Sequence, residues 1–86
     1  MAASSARYLK RFFDEKAVDR DETFQFERAG EWHLMPYGVV IDAILGCGSD
    51  EQNKIAGTLR RIDFVNGDVK HFLRHLGRGL AAGVSA

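Results

Sequence analysis

The chain of 86 residues is short of several things, and each shortage excludes something. It has one cysteine, Cys47, so no internal disulfide can form and a reducing, cytoplasmic setting is the default expectation. No Cys-x-x-Cys or His-Glu-x-x-His spacing occurs, which removes the common zinc signatures. The only proline is Pro36. Net charge is zero, which argues against a strong overall attraction to nucleic acid or membranes. No apolar run approaches the ~18 residues of a membrane span, and the first residues lack the apolar centre of a secretion signal. The glycines match neither dinucleotide-binding nor phosphate-loop spacing. There is no internal repeat and no low-complexity tract.

What is present reads as one small domain spanning residues 1–86, α+β in class and mostly α. The most continuously apolar stretch, MPYGVVIDAILGCG from Met35 to Gly48, organises the rest. Pro36 suits the first turn of a helix, and Gly46 and Gly48 suit its exit. The β-branched run Val39-Val40-Ile41 would also fit a strand, but length and punctuation favour a buried central helix over 36–46. Its polar strip is narrow: Gly38, Asp42 and Gly46. The glycines would let a neighbouring backbone approach, and Asp42 is expected to pair with Arg60 or Arg61.

Three further helices are expected around it. The first, over 5–16, is capped by Ser4 or Ser5 and turns Tyr8, Leu9, Phe12 and Phe13 inward. The second, over 50–62, is opened by Ser49 with Gln52 at capping-box spacing, and buries Ile55, Leu59 and Ile62. The third, over 67–80, carries Val69, Phe72, Leu73, Leu76 and Leu80 on one face. Asn66 or Asp68 would cap it; Asn66-Gly67 is also a hairpin signal, which leaves a second hairpin around 62–68 open. Gly77, Gly79 and Gly83 should weaken its end, leaving the tail past Leu80 loose, and residues 1–4 should fray.

Between the helix over 5–16 and the central one over 36–46, TFQFERAGEWHLM alternates apolar and polar residues, which predicts a β-hairpin with strands over 23–28 and 32–35. A two-residue loop at 29–30 would pair Phe26 with His33 and put the two apolar sets on opposite faces. A three-residue loop at 29–31 would pair Phe26 with Leu34 and gather Phe24, Phe26, Trp32 and Leu34 on one face, so the longer loop is the expectation.

Candidate chemistry is sparse. His71 and His75 stand one helical turn apart, with Asp68 three residues before His71; together they form a weak metal candidate that needs Cys47 or His33 to complete it. Cys47 follows a helix C-terminus, where the dipole disfavours a thiolate, so it reads as a small apolar residue rather than a nucleophile. No cofactor is expected, and the chain does not read as an enzyme.

Charge is unevenly spread. Positions 14–31 hold seven acids and three bases, a balance of −4; positions 54–80 hold six bases and two acids, a balance of +4. Lys70, Arg74 and Arg78 recur every four residues, with Arg60 and Arg61 on the preceding helix. These five are the candidate partner-binding residues. The leading expectation is a small non-catalytic module that presents a surface to another protein, or to its own copy, as an adaptor, regulator or inhibitor. The alternative is a helix-turn-helix-like regulator that grips nucleic acid through 54–80. The missing base readers near the start of the last helix weigh against the alternative.

Overall fold

The computed structural model describes residues 5–64 and 68–84, of which 63–64 and 81–84 enter through their backbone alone. The elements run α1 (Ser5–Lys16), β1 (Thr23–Arg28), β2 (Glu31–Pro36), α2 (Tyr37–Gly46), α3 (Ser49–Phe64) and α4 (Val69–Val84). The described residues thus form four helices and one antiparallel hairpin, an α+β fold that is mostly α. No described helix is long and apolar enough to cross a membrane.

The expected apolar stripes supply the core in part: Tyr8, Val69, Phe72 and Leu76 pack half-buried against it, Ile62 is half-buried, and Leu80, expected on the inner face of the last helix, is exposed. From α1 come Leu9, Phe12 and Phe13; from α2, Tyr37, Val40, Ile41 and Ile44; from α3, Ile55, Ala56 and Leu59; from α4, Leu73. Helix α2 packs against each of the other three helices, as a central rod should. It is not buried all round, because Val39 is 49% exposed and Asp42 faces water. Pro36 ends β2 in an extended conformation (φ −69°, ψ 142°), so α2 opens one residue later than its proline suggested.

Several local expectations change once the chain is folded. Ser5 lies within α1, and its hydroxyl donates to Asn53 Oδ1 on α3 instead of capping its own helix. Gln52 does not reach back to Ser49. Its amide donates to the carbonyls of Ile44 and Leu45, at 3.3 and 3.0 Å, and so caps the end of α2. The reason is supply: the last carbonyls of a buried helix have no intrahelical donor, and Gln52 is the buried polar side chain beside them. Asp42 pairs with Arg20 at 2.7 Å, not with Arg60 or Arg61. Gly38 makes that possible. Its amide donates to Arg20 O at 3.0 Å, and a Cβ there would lie 3.0 Å from that oxygen and 3.1 Å from Arg20 Cβ. The close approach expected of the glycine strip therefore occurs at Gly38, whereas Gly46 faces open space.

Helix α4 continues to Val84, past the loose end expected after Leu80. Asp68 opens it, accepting the Lys70 amide at 2.9 Å. Asn66, Gly67 and residues 1–4 lie outside the described residues. Gly77 is less a weak point in α4 than a seat: a Cβ there would lie 2.4 Å from Phe24 Cζ and 3.1 Å from both Met35 Sδ and Val40 Cγ2. The inner face of the hairpin rests on α4 at this glycine.

The candidate interaction surface

The hairpin register is the main departure from expectation. Arg28 pairs with Glu31, Phe26 with His33, Gln25 with Leu34 and Phe24 with Met35. The loop is therefore the two residues Ala29-Gly30, and both have positive φ, 53° and 81°. That is the condition for the type I′ turn, whose twist matches that of the strands it joins. The longer loop would have gathered more apolar area, but turn geometry sets the register. Burial alternates along β1, with Phe24 and Phe26 inside, and every residue from Glu31 to Leu34 is exposed.

Each side of the hairpin has a clear composition. Inside, Phe24 lies 5.1 Å from Tyr37 between ring centroids, and Phe26 stacks on His33 at 5.5 Å. Outside, Trp32 and Leu34 stand on one face at 68% and 63% exposure, opposite Glu27 and Gln25. Sequence reading placed both on one face with Phe24 and Phe26, and the observed register puts them on the opposite one. The signal that would have found them is the Ala29-Gly30 pair taken as a complete turn.

The backbone pattern is equally defined. Tyr37 N donates to Glu22 O at 2.9 Å, one step beyond Thr23–Pro36. Hydrogen-bonded and non-bonded pairs alternate along an antiparallel ladder. Thr23–Pro36, Gln25–Leu34 and Glu27–Trp32 are therefore the non-bonded pairs. Pro36 falls where its missing amide hydrogen costs nothing. The amides and carbonyls of Trp32 and Leu34 point away from β1, and no third strand among the described residues takes them.

The basic residues are brought to less than their spacing suggested. Lys70 Nζ lies 2.9 and 3.2 Å from the two Glu22 carboxylate oxygens, and this hydrogen bond raises its pKa above the ordinary lysine value. Arg74 donates to the hydroxyl of buried Tyr37 at 2.9 Å and lies 3.6 Å from Asp68; the bond to Tyr37 is the main reason its pKa is raised. Arg60 covers the Tyr8 ring at 4.3 Å, and Arg61 reaches Thr58 at 3.5 Å. Arg78 is exposed. The acidic and basic halves of the sequence thus meet inside one molecule at Glu22 and Lys70.

Asp68, His71 and His75 border one open groove with Ile62 and Phe72. Asp68 is already engaged by the Lys70 amide and by Arg74. Cys47 donates its thiol to Ile44 O at 3.0 Å, and His33 sits on the hairpin beneath Phe26. Among the described residues, no three His, Cys, Asp or Glu side chains are grouped as a metal ion requires. A second groove of about 480 Å³ lies between α2, α3 and α4, lined largely by apolar side chains that include Ala43, Ile55, Leu76 and Leu80. Against protein-family models, curated proteins and solved structures, the chain matches none.

Proposed function

We propose that this chain is a small non-catalytic interaction module, an adaptor, regulator or inhibitor, that engages another protein chain through the outer face of its hairpin. One observation carries the reading: Trp32 and Leu34 stand exposed side by side beside an unpaired strand edge. Scattered surface apolar residues need no explanation. These two differ because they coincide with an exposed row of backbone donors and acceptors, the usual template for strand addition. They also coincide with a local cost. Ala29 holds a left-handed conformation that L-residues other than glycine and asparagine seldom adopt. The strain alone does not mark the site, because Ala17 just after α1 has the same φ of 53°; its coincidence with a tryptophan left in water does, since functional surfaces tend to give up stability.

The nucleic-acid alternative has less behind it. Two of its six bases, Lys70 and Arg74, face carboxylates at 2.9 and 3.6 Å within the same molecule. Each pairing reduces the charge available for releasing counterions from phosphate. Absence of salt-dependent binding to duplex DNA at low ionic strength would remove it.

The test is a photo-crosslinking residue placed at position 34, or at Lys54 on exposed α3, in cells that naturally make the chain. Adducts to protein from position 34 and none from position 54 are the expected result. Equal labelling from both, or none from position 34, overturns the reading.

A further inference from the structure

We infer that the partner of the β2 edge is a second copy of this chain, joined strand to strand about a twofold axis at His33. The inference rests on the interaction-surface reading and names its occupant. The free edge offers the amide and carbonyl of Trp32 and of Leu34, two residues apart. When two such strands run antiparallel with His33 facing His33, Trp32 of each copy meets Leu34 of the other in a hydrogen-bonded pair. All eight edge groups at these positions are then satisfied, and the two hairpins become one four-stranded sheet.

Shifting the register is worse. With Leu34 on the axis, Trp32 would face Pro36, which has no amide to return, so the Trp32 carbonyl stays unpaired. With Trp32 on the axis, Leu34 would face Gly30, in the turn.

The side chains agree with the His33-centred arrangement. Cross-strand neighbours share a face, so each Trp32 ring lies beside the partner copy's Leu34, and four exposed apolar side chains become one cluster. Charge does not oppose it. From Trp32 to Pro36 the strand has no acidic or basic side chain other than His33, and the chain as a whole has no net charge. The edge of β1 differs: it displays Thr23, Gln25 and Glu27, and self-pairing there would bury little and crowd carboxylates. Of the devices that usually protect an open edge β2 carries a proline at its end, Pro36, outside the Trp32–Leu34 stretch, and no lysine or bulge. A joint of this size belongs to the weak, reversible class of interfaces.

Sedimentation equilibrium of the purified chain tests the inference. The average mass should rise with concentration from 9.6 kDa toward twice that value. Leu34→Lys, at an exposed position, should leave the circular dichroism spectrum unchanged and weaken association at least about tenfold. The register is tested by cysteine placement in a Cys47→Ala background. Non-hydrogen-bonded antiparallel partners bring their Cβ atoms within disulfide reach. His33→Cys should therefore crosslink readily under mild oxidation, while Leu34→Cys, two residues out of step with its own copy, should not. A monomer up to ~1 mM, the weak limit of useful affinity, overturns the inference. So does association unaffected by Leu34→Lys, or His33→Cys crosslinking no faster than Lys54→Cys. A monomer that still labels a different protein from position 34 removes self-pairing alone; a monomer that labels nothing removes the interaction-surface reading with it.

Discussion

The hairpin presents two faces built from similar residues with opposite fates. Phe24 and Phe26 point inward to Tyr37, His33 and the seat at Gly77; Trp32 and Leu34, no less apolar, point to water. Residue type does not separate them. What separates them is a turn of two residues instead of three, because a shift of one position in a strand exchanges its faces. Hydrophobic patterning supplied two candidate registers, and backbone geometry at Ala29 and Gly30 chose the one with less burial.

The hardest attempt to break this contrast is to truncate one residue on each face. Phe24→Ala should cost about 3–5 kcal/mol, as for other buried phenylalanines. In a domain of this size each kcal/mol is worth roughly 4–8 °C of melting temperature, so the loss should be plain in a thermal melt followed by circular dichroism. Trp32→Ala should stay within about 0.5 kcal/mol of the parent. Comparable losses from the two would mean that the faces are wrongly assigned. Trp32 is also the only tryptophan. Its fluorescence should be open to an aqueous quencher in dilute solution and become protected as concentration rises.

Two glycines of α4, two residues apart, sharpen the same comparison. Gly77→Ala removes the helix penalty of glycine, about 1 kcal/mol, but drives a methyl into Phe24, Met35 and Val40. Overpacking of that kind costs about 1–3 kcal/mol, so a net loss is expected. Gly79→Ala meets nothing within 4 Å and should stabilise by about 0.5–1 kcal/mol through helix propensity alone. If both substitutions stabilise, the hairpin does not rest on α4 at Gly77.

The turn itself can be relieved. Ala29→Asn replaces a residue strained at φ 53° with one that tolerates the left-handed region and favours type I′ turns. A gain of about 0.5 kcal/mol is expected by chemical denaturation, on the scale of other relieved backbone positions. Loss of stability instead would favour a loop that includes Glu31.

Much of the helical frame could be read from the chain because its signals are local. The stripe of Leu9, Phe12 and Phe13, the proline and glycines around 36–48, and the stripe through Leu73 each lie within a few turns and need no partner to be recognised. What escaped depends on contacts between distant segments. Gly77 matters only because Phe24 lands on it, Gln52 turns away from Ser49 only because α2 ends beside it, and Asp42 takes Arg20 because Gly38 admits that backbone. The candidate surface was hidden for another reason. Alanine at a positive φ carries no sequence label, so the rule that gathers apolar residues put Trp32 and Leu34 on the same face as Phe24 and Phe26.

The mildest contrast is between the exposed hairpin edge and the ion pair that closes its base. Glu22 lies just before β1, and Lys70 holds it from α4. The hydrogen bond from Lys70 to Glu22 raises the lysine pKa above its ordinary 10.5. A group whose folded-state pKa is raised contributes stability while both states are protonated, and that contribution fades as pH climbs from the unfolded value through the folded one. Melting temperature should therefore decline above about pH 10.5 more steeply in the parent than in Glu22→Gln, where the cause of the shift is gone. Near neutral pH the parent should be the more stable by a small margin only, because both side chains are 42% exposed and solvent screens the pair, and that margin should close as the lysine loses its proton. Identical alkaline slopes would show that the strand base is held by the ladder and by Gly38 alone. A difference that persists undiminished at pH 11 would show that Glu22 acts through something other than the charge on Lys70.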